Sequence, residues 1–322
     1  MTAGPDPLFA LPHIVGLGVE KCGTTSLVEL LSRVPGILVP RRKETFFFNR
    51  HFESGADWYR GLFPPAEGGR AFLDFTPSYF RSPAALERLA AFPTRKKLLL
   101  LVRHPVQRAY SHYLHDLANH IAQGDGLARD FAQPLRVDFA RFAALPEHPF
   151  FTRYAGVIET LRRRFGAEAL LVLPLDLLER APAEALRRLG AFLELDLSAA
   201  GGAPPTRLNR SCLPSYLVPT RTRLLWQDGR PRRLRAGHLY LLRRDGVTDL
   251  GARDAEALAV AAGLAASFTR RLDRAACEAL HRTHFAEDVA RTAALTGLDL
   301  AAWERQSDLV ADEARPGRLA LW

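Results

Sequence analysis

The 322-residue chain has one methionine, three cysteines and only four lysines. Cys22, Cys212 and Cys277 are too few and too scattered for a disulfide framework or a zinc site, which suits a reducing cytoplasm; no metal is expected. No run of eighteen apolar residues offers a membrane span, and the start Met1-Thr2-Ala3-Gly4-Pro5-Asp6 has neither the basic residues nor the apolar stretch of a signal peptide. The expectation is a soluble, unexported, cytoplasmic protein with no membrane partner. Internal repeats and long low-complexity stretches are also lacking, which excludes solenoids and arrays.

What remains is an ordinary globular composition, 48% hydrophobic and 25% charged, enough to bury a full core. We expect a single domain over residues 1–322, with a core at about 13–200 and an arginine-rich loop region and helical C-terminal part at about 201–322. Gly201-Gly202-Ala203-Pro204-Pro205 marks the change. The net charge of +9 would suit nucleic acid, a membrane surface or an anionic small molecule. The arginines are spread out, without interleaved aromatics or a finger or helix-turn-helix pattern, so no nucleic-acid partner is expected. Arginine is this chain's default cation, the lysines being Lys21, Lys43, Lys96 and Lys97. A lysine inside a glycine-threonine loop therefore stands out.

Strands and helices alternate. His13–Leu17 and Ala71–Phe75 read as strands, and Lys97–Val102 is an unbroken apolar run that suits a strand covered on both faces. Ala169–Leu173 is a further strand. Helices are expected after Gly23, from Pro83, from Pro105 with Val106, Ala109, Tyr110 and Tyr113 on one apolar face, and near Ala183 to Leu193. The Ala-, Leu- and Arg-rich residues after about Gly251 read as helices. The segments Gln123–His148 and Thr206–Arg235 read as surface loops or lids. The fold class is α/β, a P-loop-like three-layer fold with a mainly parallel central sheet flanked by helices and a helical C-terminal part.

The chemistry concentrates in Gly18-Val19-Glu20-Lys21-Cys22-Gly23-Thr24-Thr25-Ser26, a strand, a glycine turn and a helix start. The N–H groups of a first helical turn point at a ligand and the helix dipole favours negative charge there. Gly18 and Gly23 keep the Walker A spacing, but Thr24 stands where the nucleoside-triphosphate lysine belongs and Lys21 lies two residues before Gly23. A tight turn with Thr24, Thr25 or Ser26 as helix cap explains the glycine and hydroxyls but leaves Lys21 without a purpose.

Lys21-Cys22-Gly23-Thr24-Thr25 resembles the 5'-phosphosulfate loop of sulfotransferases that use 3'-phosphoadenosine-5'-phosphosulfate (PAPS). Lys43-Glu44-Thr45-Phe46-Phe47-Phe48-Asn49, with Asp57-Trp58-Tyr59 and Phe63-Pro64, resembles the branch that holds heparan sulfate sulfotransferases and bacterial relatives. Arg103-His104-Pro105-Val106-Gln107-Arg108-Ala109-Tyr110-Ser111 resembles the superfamily's 3'-phosphate motif. His104 replaces the commoner Asn or Asp, and Cys22 a commoner small loop residue.

The resemblance implies transfer of a sulfuryl group from PAPS to a hydroxyl or amine of a small-molecule or carbohydrate acceptor, in line, leaving adenosine 3',5'-bisphosphate. It implies Lys21 at the leaving phosphate, with Cys22, Gly23, Thr24, Thr25 and Ser26 around the 5' end. Glu44 takes the general-base position. His51 and His104, conceivable because aryl-type relatives use histidine, rank below it. Arg103 and Ser111 take the 3'-phosphate, and Arg210, in Asn209-Arg210-Ser211, is the candidate for a closing basic loop. Without the resemblance, Glu44 is an ordinary neighbour of Lys43, and Ser111, beside Arg108, falls on the polar, solvated side of its helix. Sulfuryl carries less charge than phosphoryl, so the magnesium of kinases is not required by the same argument. The alternatives are a P-loop kinase or other nucleoside-triphosphate-dependent transferase, with Asp74 of Phe72-Leu73-Asp74 at magnesium, and a non-catalytic nucleotide-binding protein.

Overall fold

The computed structural model describes residues 6–122, 153–201, 216–219, 224–227, 230–233, 238–243, 246–252 and 274–305. The chain divides into two compact units. One is made of Met1–Pro105, Arg153–Asn209 and Glu287–Leu300, the other of Val106–Thr152, Arg210–Ala286 and Ala301–Trp322.

The first unit is a five-stranded parallel sheet in the order β2-β3-β1-β4-β5. The strands are β1 (His13–Gly18), β2 (Ile37–Leu38), β3 (Ala71–Phe75), β4 (Lys96–Val102) and β5 (Leu170–Pro174). All of β1 and β3 is buried, as are the last five residues of β4, which is why these strands read as continuous apolar runs rather than alternating ones. Its helices are α1 (Pro7–Ala10), α2 (Thr24–Ser32), α3 (Gly55–Arg60) and α4 (Pro83–Ala91), then, beyond α5 (Pro105–Ala122), α6 (Tyr154–Phe165), α7 (Leu175–Arg180) and α8 (Pro182–Leu193). Prolines open α1, α4 and α8 at positions where a missing N–H costs nothing. Past β1 the chain builds β2 and β3 on one side and then crosses to β4 and β5 on the other. The carboxyl end of β1 is thus the switch point at which open α/β sheets bind ligands.

Most of the expected elements are present within a residue or so. β2 was not anticipated, because two residues carry no readable period. The second unit corrects a larger point. Thr206–Arg235, read as loop, contains β6 (Tyr216–Pro219), β7 (Leu224–Gln227) and β8 (Arg230–Arg233), whose arginines and prolines hide the strand pattern. With β9 (His238–Arg243) and β10 (Gly246–Ala252) they form an antiparallel sheet β10-β9-β6 and a β7-β8 pair. The helical reading further on corresponds to α9 (Arg274–His284), α10 (Ala286–Thr296) and α11 (Ala301–Arg305). The segment 123–148 lies outside the described residues.

One buried histidine carries a pH consequence for the first unit. His13, 1% exposed, donates from Nε2 to the Leu8 carbonyl at 2.9 Å, and its Nδ1 is buried without a partner. Burial lowers its pKa from 6.5 to about 4. The unfolded chain therefore binds the extra proton, so this contribution to stability is full above pH 6.5 and is lost as pH falls towards 4. In urea unfolding, His13→Gln should lose about 2 kcal/mol less than wild type between pH 7 and pH 5.

Candidate active site

The loop that follows β1 is shaped by backbone conformations rarely tolerated outside special turns. Lys21 has φ 68° and Gly23 has φ 82°, both left-handed. Gly23 is the N-cap of α2 and has no side chain with which to cap it. Thr24, Thr25 and Ser26 follow as the first three residues of α2. Gly23 is also required by space, since a Cβ there would lie 2.4 Å from Leu175 Cδ1. Cys22 is fully buried, its Sγ 3.9 Å from the Tyr154 hydroxyl. Outside the loop, Arg81 Nη2 holds Glu20 Oε1 at 2.9 Å.

The structure brings Lys43 onto this helix start. Its Nζ donates to Thr25 Oγ1 at 2.6 Å, lies 3.4 Å from Thr24 Oγ1, and stands 3.5 Å from Glu44 Oε1. Burial lowers the Lys43 pKa, and the neighbouring Glu44 charge works against that shift. Sequence reasoning quoted Lys43 in a motif but gave it no role. The scarcity of lysine that singled out Lys21 applied to it equally.

Glu44 is held from behind. The next residue, Thr45, is buried and donates its hydroxyl to Asp74 Oδ2 at 2.8 Å. Phe46 is left-handed at φ 52°, and a short π-helical turn, Phe47–His51, follows. Such strain persists only where the surroundings hold it. Asp74 is fully buried and also accepts from Tyr79 at 2.9 Å, Tyr59 at 3.2 Å and, on Oδ1, Thr76 at 3.0 Å. Fully buried and accepting from four protein hydroxyls, it is poorly suited to be the magnesium ligand that the kinase alternative needed.

Arg103, just past β4, points one arm at the loop: Nη1 is 3.4 Å from the Lys21 carbonyl. Tyr154, at the start of α6, donates its hydroxyl to the Arg103 carbonyl at 2.8 Å. Asp288 of α10 in turn caps α6, accepting from the Tyr154 N–H at 2.7 Å and the Ala155 N–H at 3.1 Å. Ser111 lies on α5 in the second unit. It is 4% exposed and Arg108 is 1% exposed, so the face expected to meet water is buried. His51 packs against the Trp58 ring at 4.9 Å, and His104 is buried. Arg210 lies outside the described residues.

A left-handed glycine turn at the carboxyl edge of a parallel sheet opens a helix whose first hydroxyls meet Lys43 and, through it, Glu44, an α/β arrangement suited to an anionic group. The family follows from comparison. Residues 11–218, more than half of the chain, match the sulfotransferase domain model, and the chain belongs to that family. Heparan sulfate glucosamine 3-O-sulfotransferase 3B1 of Homo sapiens is 34% identical over 150 residues, covering 47% of this chain and 33% of that protein. Its Mus musculus counterpart is 31% identical over 201 residues, covering 58% and 46%. The chain thus spans less than half the length of these relatives. A sulfotransferase from Alicyclobacillus acidocaldarius shares the fold, with a TM-score of 0.54 at 23% identity, covering 91% of this chain and 99% of that one.

Gly23→Ala meets both the left-handed backbone and Leu175, whereas Gly68→Ala, at φ 71° with nothing within 4 Å, meets only the backbone. Urea denaturation should show a loss of about 2–4 kcal/mol for the first and about 1 kcal/mol for the second.

Proposed function

We propose that the protein transfers a sulfuryl group from PAPS to a hydroxyl or amine of a small-molecule or carbohydrate acceptor. The observation that carries this reading is the Lys43 ammonium, shared between the hydroxyls that open α2 and the Glu44 carboxylate. Donor-side and acceptor-side groups thereby meet at one cation.

The residues suit a phosphosulfate. The N–H dipoles of the first turn of α2 point out of the helix start, and a Cβ-free residue with left-handed backbone stands at the turn and offers no side chain of its own to block them. As the sulfur–oxygen bond to the 5'-phosphate breaks and the bond to the acceptor forms, charge grows on the leaving phosphate. Lys21, Lys43 and the first N–H groups of α2 meet that charge in a preorganised site. Glu44 receives the acceptor's proton, a role worth about 10²–10⁴-fold. Adenosine 3',5'-bisphosphate is the product. The 3'-phosphate roles of Arg103 and Ser111 rest on the motif alone. A carbohydrate acceptor is supported by relatives named for heparan sulfate glucosamine.

Adenosine 3',5'-bisphosphate alone should raise the melting temperature, by mass action on the folded state. Stabilisation by ATP with magnesium and not by the bisphosphate would overturn the reading. With PAPS, bisphosphate release followed by chromatography should fall at least 10²-fold in Lys21→Ala, Lys43→Ala and Glu44→Gln. Near-normal turnover in Glu44→Gln would remove it as base.

A further inference from the structure

We infer that Asp74 is a positioning residue for Glu44, acting through Thr45. The inference rests on the proposed role of Glu44 as base.

Four consecutive residues after Glu44 hang on one buried carboxylate, directly or through a single hydroxyl. Thr45 Oγ1 donates to Asp74 itself. The Phe46 N–H donates to Thr76 Oγ1 at 3.3 Å, the Phe47 N–H to Thr45 Oγ1 at 3.1 Å, and the Phe48 N–H to the Tyr79 hydroxyl at 3.3 Å. Thr76 and Tyr79 each donate onward to Asp74. A carboxylate accepts all of these at once, which no other side chain of its size does. Burial lifts the Tyr59 and Tyr79 hydroxyls well above their ordinary pKa of 10, so both stay protonated donors at neutral pH.

The anchor has a fixed relation to the phosphate loop. Asp74 is paired with Val15 of β1, the strand that leads directly into that loop. A carboxylate on β3 therefore holds the backbone of residues 45–48 at a set distance from the end of β1. The left-handed Phe46 is the conformational cost of that attachment, and the Arg50 guanidinium covers its ring at 4.6 Å. Glu44 is one peptide away from Thr45. A displacement of about 1 Å in a catalytic group can cost about 10²-fold in rate.

Two substitutions separate positioning from mere support. Thr45→Val and Tyr59→Phe each leave Asp74 with three hydroxyl donors, but only the first cuts the link to the Glu44 segment. For PAPS turnover by the full chain, we expect kcat of Thr45→Val to fall about 10- to 100-fold with KM for PAPS within about threefold. We expect Tyr59→Phe and Thr45→Ser to keep kcat within about threefold. Hydrogen exchange of the peptide over residues 43–48 should rise in Thr45→Val and not in Tyr59→Phe. Equal kcat losses in Thr45→Val and Tyr59→Phe, or none in either, would overturn the inference, as would unchanged exchange in Thr45→Val. A wild-type chain that does not turn over PAPS counts against the proposed function, while the exchange comparison still decides the positioning.

Discussion

The adjacency of β1 and β3 is the constraint on which the site depends. Gly16 faces the Phe75 ring so closely that a Cβ there would lie 2.2 Å from it, and at Gly18 a Cβ would lie 2.9 Å from the Pro77 carbonyl. Two glycines on β1 thus let the end of β3 and the turn after it settle against the strand that carries the anion loop. With β3 in that place, Asp74, Thr76 and Tyr79 stand where the Thr45–Phe48 backbone can attach, and Lys43 and Glu44 arrive at the start of α2 as a result. Lys43 then links the two sides by a short polar contact. Its desolvation costs free energy, and the hydroxyls of Thr24 and Thr25 and the Glu44 carboxylate offset that cost.

The hydroxyl cluster also separates two chemistries that share a loop. A kinase needs an aspartate free to hold magnesium at the end of a strand beside the loop. Here the aspartate in that register is fully buried and committed to four hydroxyls. The lysine missing from the Walker position is likewise replaced from two directions, by Lys21 within the loop and by Lys43 from the segment after β2. Both features suit the proposed site, in which side-chain and backbone donors meet an anionic group.

Much of the first unit was legible because its signals are local. Fully buried parallel strands leave unbroken apolar runs, as in Leu98–Val102, and prolines at Pro83 and Pro105 announce helix starts. The loop at Gly18–Ser26 was legible for the same reason, since glycine spacing and a displaced lysine are sequence facts. Lys43 was not, because its partners Thr24 and Thr25 are some eighteen residues away and meet it only through the fold. The role of Asp74 was not legible either, because its four hydroxyl donors come from three separate stretches of chain. The solvated face assigned to Ser111 and Arg108 failed differently. Helical periodicity marks polarity, and a polar face is exposed only if nothing covers it.

The same logic explains why a late segment belongs to the first unit. Helix α6 begins at Tyr154 with no side-chain cap from its own N-cap residue, Arg153, which leaves its first N–H groups to find acceptors elsewhere. Asp288 supplies both carboxylate oxygens from more than 130 residues further along, although burial raises its pKa and penalises its charge there. A carboxylate at a helix N-terminus recovers part of that penalty from the dipole as well as from the two hydrogen bonds. The capped residue is Tyr154, whose hydroxyl meets the Arg103 carbonyl and approaches Cys22 inside the anion loop. The sulfotransferase domain match ends at residue 218, yet the brace behind Arg103 is completed by α10. Residues beyond the recognisable domain are therefore part of what holds the site's backbone in place.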